Sequence, residues 1–107
     1  MRGYDHAITL DDRGKHIYMR DGYDVWVPPN DNEEFPVGSV ITIINSNYLN
    51  NNNDVNVKST GMGVDVWGAG FNTTSSAWGI PANSIGTLVK VETNKWILSA
   101  AGLKNNQ

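Results

Sequence analysis

Residues 41–57, ITIINSNYLNNNNDVNV, decide how many folded units the chain holds. Seven of the twelve residues from Asn45 to Asn56 are asparagine. Such a run is either a low-complexity linker between two units or a loop inside one, and the flanks choose between them. Residues 40–44 are a nearly continuous apolar run, too short for an ordinary helix, and read as a strand covered on both sides. Val55 and Val57 alternate with Asn56 and Lys58, the pattern of a half-buried strand. Neither run can build a core alone, so each needs the other or a common sheet partner. Residues 45–53 therefore read as a loop within one domain. Asn45 ends a strand, and Tyr48 and Leu49 pin the middle of the loop. Asparagine tolerates turn conformations and offers amide donors and acceptors, which makes the loop a polar contact surface.

Outward from this loop, the same short β-branched runs recur. Toward the N-terminus they are residues 6–10, 15–19 and 23–27, separated by Asp11-Asp12-Arg13-Gly14 and Asp21-Gly22, both turn chemistry. Val25 and Val27 share a face, Trp26 takes the other, and Pro28-Pro29 stops the strand. Phe35 anchors the loop that follows. Toward the C-terminus, Val64 and Val66 share a face opposite Asp65 and Trp67, with glycine at 61, 63, 68 and 70 as brackets. Residues 71–85 lack a pattern and read as a loop anchored by Trp78 and Ile80. Two last strands, 87–91 and 95–99, join through Glu92-Thr93-Asn94 as a hairpin, and Trp96 reads as core. About eight short strands at roughly ten-residue spacing predict an all-β fold. The expectation is a single-domain two-sheet sandwich or jelly-roll-like fold over residues 1–103, with 104–107 a frayed tail.

The totals agree. The 107 residues are 39% hydrophobic and 18% charged, with a net charge of -3. That is the size of one domain and too apolar for a disordered chain. No basic footprint for nucleic acid is present. No apolar stretch reaches the length of a membrane helix, and none follows the N-terminus as in a secretory signal. Met1 reads as a natural start, which points to a whole small protein. Cysteine is absent, so stability beyond a modest core must come from elsewhere, and oligomerisation is one route.

Catalytic chemistry is not evident in the motifs. His6 and His16 lie on the first two strands and could face each other across a hairpin, but two histidines fall short of a zinc ligand set. The pairs Asp11-Asp12 and Glu33-Glu34 sit beside turns and read as solvated carboxylates. Gly61-Met62-Gly63 does not open a helix, so it is no dinucleotide fingerprint. Ser75-Ser76 lacks the context of a nucleophile elbow. The expectation is no enzyme, metal or cofactor.

The aromatic residues offer more. Trp26 can pack under a loop, against a second layer or at an interface. Trp67, Phe71 and Trp78 can anchor loops and core, or form an exposed cluster that binds a subunit or stacks on a sugar. With the loop residues Tyr48, Asn50 and Asn51, these are the candidate contact residues.

In order, the chain reads AITLDDRGKHIY, VWVPP, FPVGSVITIINSN and GTLVKVETNKWILSAAGL. This order resembles a β-rich module of tailed-bacteriophage virion proteins, found in tail fibres and spikes and in small capsid decoration (cement) proteins. The matching positions include Asp12, Gly14, Ile17, Phe35, Gly38, Asn45, Lys90, Asn94 and Trp96, which carry fold more than function. Ala101 stands where the module commonly has glycine. The resemblance, at this length, implies a capsid decoration protein on the outer surface of the virion. Such a protein clamps neighbouring subunits of the major capsid protein against genome pressure, as a homo-dimer or homo-trimer. The alternative it implies is a tail-fibre or spike module that binds a host glycan or receptor.

Overall fold

The computed structural model describes residues 1–60 and 63–107, so Gly61 and Met62 of the Gly61-Met62-Gly63 stretch lie outside the described residues. Among the described residues, ten strands form two five-stranded sheets. They are β1 (His6–Ala7), β2 (His16–Met19), β3 (Asp24–Val27), β4 (Val40–Asn45), β5 (Val55–Ser59), β6 (Asp65–Gly68), β7 (Ala77–Ile80), β8 (Ile85–Glu92), β9 (Lys95–Ala100) and β10 (Lys104–Asn105). A 3-10 turn, Leu10–Asp12, follows β1. The first sheet runs β1-β3-β5-β7-β10 and the second β2-β4-β8-β9-β6. The all-β sandwich expected from the alternating runs is the observed fold.

The connections differ from expectation. From β1 to β8 the chain changes sheet after every strand. The turns at residues 11–14 and 21–22 therefore join strands in different layers rather than making hairpins. Strands laid down on successive passes pair in parallel: β1 with β3, β3 with β5, and β2 with β4. Among the described residues only β8 and β9 form a direct antiparallel hairpin, with a bulge between Lys90 and Glu92. His6 and His16 accordingly lie in opposite sheets.

All eight expected strands have counterparts, although the first is cut short by the 3-10 turn. Two were missed. β7 lies in the Ser/Thr-rich stretch, and β10 pairs with β7, so the last residues are not frayed. Asn106 also donates to Asp54 and Asn56, at 2.8 Å each.

Between the layers pack Val25, Val27, Val55, Val57, Trp78 and Ile80 from the first sheet. Ile17, Ile41, Ile43, Val66, Leu88, Trp96 and Leu98 face them from the second. Phe35 caps Trp96 edge-on at 5.2 Å. Trp78 needs unusual room, and Gly68 supplies it. A Cβ at position 68 would stand 2.5 Å from the indole ring.

Among the described residues one buried side chain is cationic. Lys90 on β8 points inward and is 2% exposed. Its ammonium donates to Asn30 Oδ1 at 2.5 Å and to the Phe35 carbonyl at 2.6 Å, which fastens the loop between β3 and β4. Removal from water pushes its pKa below the usual 10.5, and the Glu34 carboxylate opposes that shift.

The outer faces of the two sheets are unlike. On the first sheet, Asp24 pairs with Lys58 at 3.0 Å, and Lys58 lies over the Trp26 ring. Lys104 pairs with Asp54 at 3.1 Å. The second sheet turns outward three rows that are uncharged save for His16, and at one margin a charged row of Asp65, Lys95 and Glu92. Tyr18, Ile44 and Ile85 are aligned in one. Val40, Val89, Ile97 and Trp67 make another across four strands. Between them runs a polar row of His16, Thr42, Thr87 and Ser99.

Two outcomes follow from the core. Gly68→Ala should lose about 1–3 kcal/mol in urea unfolding, because the added methyl drives into Trp78. Lys90→Met should lose about 1–3 kcal/mol at neutral pH, since the Phe35 carbonyl and Asn30 are left without their donor. The native lysine releases its proton at lower pH than the unfolded one. The unfolded state then binds more protons, and stability gains with rising pH in the window up to 10.5. Below the native pKa both states are protonated and the contribution is flat. Unfolding curves across the alkaline range should show this gain in the native chain and not in Lys90→Met.

Candidate functional site

The loop of residues 46–54 joins β4 to β5 at one end of the sandwich, and its shape is set by its asparagines. Asn45 is fully buried at the end of β4. Its amide donates to the carbonyls of Asn53 at 2.9 Å and Ile80 at 3.0 Å, and its Oδ1 accepts from the Asn47 backbone at 3.0 Å. The two ends of the loop are thereby tied to each other and to the opposite sheet. Asn47, Asn50 and Asn52 have φ of 51°, 54° and 58°, in the left-handed region that asparagine enters more readily than other side-chain-bearing residues. Asn47 closes the inner turn. Its carbonyl accepts from Asn50 N at 2.9 Å and its Oδ1 from Asn52 N at 3.0 Å.

The middle of the loop is held from below by Asp21, which is 1% exposed and accepts the Leu49 backbone N–H at 2.9 Å. Tyr48 and Leu49 do not pin the loop inward as expected. They project, 58% and 43% exposed, because backbone and amide hydrogen bonds already fix the turn. The Arg20 guanidinium lies 4.8 Å from the Tyr48 ring centroid. Asn50 and Asn51 are exposed beside it. The N-terminal segment lies alongside: Arg2 bridges to Met19, Arg2 Nη1 donates to the Tyr4 hydroxyl at 3.1 Å, and Ser46 Oγ donates to Met1 Sδ at 3.2 Å. Met1 and Tyr4 are exposed. A rigid tip results, carrying two tyrosines, an arginine and apolar groups within a rim of amides. Binding surfaces favour this chemistry, since tyrosine and arginine bring contact area at low entropy cost and asparagine adapts its hydrogen bonds.

The remaining candidates fall elsewhere. Trp78 is not part of an exposed cluster. It faces inward on β7, fully buried, with its indole N–H donating to the Val66 carbonyl at 2.8 Å. Phe71 is 41% exposed and covers Trp78 edge-on at 4.9 Å. Trp67 lies on the outer face of β6 under Lys95 Nζ, 4.9 Å from the ring centroid. Trp26 lies on the outer face of the other sheet. The structure thus unites Tyr48, Asn50 and Asn51 at the tip, and leaves Trp26 and Trp67 on opposite faces.

The acidic pairs also separate. Asp11 is solvated, but Asp12 is buried, accepting the Thr9 backbone N–H at 2.8 Å and lying 2.8 Å from His6 Nε2. This carboxylate closes the 3-10 turn, a structural duty that the turn reading did not reveal. Missed in sequence were Arg20, which carried no reading, and Asp21, which read as a turn residue only.

No family model, curated protein or solved structure matches this chain.

Asn45→Ala should lower stability by about 2–3 kcal/mol, as several buried groups lose their partner at once. Asn50→Gly should leave stability within about 0.5 kcal/mol, since glycine accepts the left-handed backbone without strain. Denaturant midpoints of both variants check this pair.

Proposed function

We propose that the protein is a non-enzymatic capsid decoration protein of a tailed bacteriophage, docking on the outer shell through the tip of the sandwich and clamping neighbouring subunits of the major capsid protein. The observation that carries this reading is the exposed Tyr48–Asn51 turn, held by buried Asn45 and Asp21 before any partner arrives. A loop already fixed in shape gives up little conformational entropy on binding. Each copy can then bind weakly, because many copies on one particle act together. The resemblance of the strand-and-turn order to virion modules supports the same role.

A tail-fibre or spike module is the second reading. It is favoured by the exposed Tyr48 ring set among Asn50 and Asn51, a pairing that can stack on a sugar and hydrogen-bond its hydroxyls.

Imaging of native particles separates the two. Density on the outer capsid is expected, and density only on the tail would favour the fibre reading. In co-sedimentation with purified shells, Tyr48→Ala should weaken binding at least about 10-fold without changing the unfolding midpoint. Unchanged shell binding would remove the tip from the interface.

A further inference from the structure

Given the tip as a docking surface, on which this inference rests, the geometry points to a carboxylate as what the tip takes hold of. The Arg20 guanidinium, stacked on Tyr48, receives the side chain of an aspartate or glutamate on the surface of the docking protein.

Arg20 is fixed in place without being used. Its backbone N–H donates to the Arg2 carbonyl at 2.9 Å, and its guanidinium lies 4.8 Å from the Tyr48 ring centroid. Gly3 lets the N-terminal segment pass close by, since a Cβ there would stand 3.5 Å from Arg20 Nη1 and 3.6 Å from its Cδ. Packed in this way, Nε is buried and meets no acceptor. Arg20 belongs to none of the ion pairs among the described residues. Arg2, beside it, is engaged with the Tyr4 hydroxyl and lies 4.0 Å from Asp12. A guanidinium carries five N–H donors in a planar fork. Held still with its donors unspent, it gives up little freedom when an acceptor arrives.

The surroundings set the sign and shape of that acceptor. The chain carries a net charge of -3, yet residues 46–53 hold no acid. The nearby carboxylates are engaged or enclosed. Asp54 pairs with Lys104 at 3.1 Å, and Asp5 accepts the Asp24 backbone N–H at 2.9 Å. Asp21 lies beneath the loop, with Oδ1 on the Leu49 N–H and Oδ2 buried without a partner, beyond ion-pair distance of Arg20. An anion arriving from outside therefore complements the arginine. With Nε enclosed, it meets the Nη1–Nη2 edge, which suits the two oxygens of a planar carboxylate. A phosphate is better served by several donors converging on it. Here one edge is offered, flanked by the Tyr48 ring and the exposed Leu49.

Shape selects a protein as the bearer. The tip projects, and the larger cavities among the described residues lie elsewhere, beside Arg13 and Val37 and beside Ser59 and Thr74. A small acidic sugar is held best in a hollow. A projecting arginine and tyrosine instead enter a hollow on a larger partner, where water is excluded and the charge pair strengthens.

Co-sedimentation of the full chain with purified shells, before and after the shell carboxylates are amidated with carbodiimide and glycinamide, tests the inference. On native shells Arg20→Gln should bind about 10-fold or more weakly than wild type. Arg20→Lys should fall between them, since it keeps the charge and loses the fork. On amidated shells wild type should bind no better than Arg20→Gln. Added salt should weaken wild type more steeply than Arg20→Gln. Unfolding midpoints report whether each variant is folded, and Arg20→Lys still reads the site if Arg20→Gln does not fold. Wild type that ignores the shells removes the docking reading and this inference with it. Wild type that binds them, with the Arg20 variants or amidation without effect, leaves docking in place and overturns the carboxylate. Arg20-dependent binding to polysialic acid, with shell binding indifferent to Arg20, makes the carboxylate a sugar's and overturns the protein partner.

Discussion

The structure turns on one buried amide. Asn45 ends the central run of the second sheet, and its side chain reaches the Ile80 carbonyl on the first. It also holds both ends of the asparagine loop. An unpaired amide in this position would be costly to bury, so its partners are constrained to meet it. Strand end, loop closure and sheet-to-sheet contact are therefore specified together. The long asparagine run works as a tied turn, and a linker reading fails because its two ends share a single side chain.

Lys90 plays a comparable part at the loop between β3 and β4. Its stem lies in the apolar layer, and its charge is met by an amide oxygen and a carbonyl from the loop above. Phe35 is drawn down over Trp96 by the same loop. Loops with few apolar residues are thus fastened at each place by one buried polar group. Such fastening suits a chain without cysteine and with a small core.

Alternation made most strands legible, because Val25/Val27, Val55/Val57 and Val64/Val66 each mark one buried face. Sheet membership was not legible. A turn such as Asp21-Gly22 reads the same whether the chain doubles back in one sheet or crosses to the other. β7 was hidden because Trp78-Gly79-Ile80 is buried throughout and gives no alternation. Gly79 is closed off by the Asp54 and Asn106 side chains rather than by a core. The role of Gly68 depended on Trp78, ten positions away and in the other layer. At the tip, asparagine content pointed to a turn and to polar contacts. The outward thrust of Tyr48 required knowing that Asp21 already held the backbone from beneath.

The crossing of the chain from layer to layer has a kinetic side. From β1 to β8 no strand finds its partner in the strand that directly follows it. Parallel neighbours must wait for an intervening pass through the other layer, and loop-closure entropy opposes each meeting. Among the described residues the β8–β9 hairpin alone can form from adjacent strands. It lies late in the sequence, so during synthesis the earlier strands emerge before the one template that closes locally. A topology so rich in distant pairings favours slow folding, with the β8–β9 hairpin as the local contact available to start it. The polar, asparagine-rich connection between β4 and β5 keeps that waiting chain hydrated while its ends are still apart.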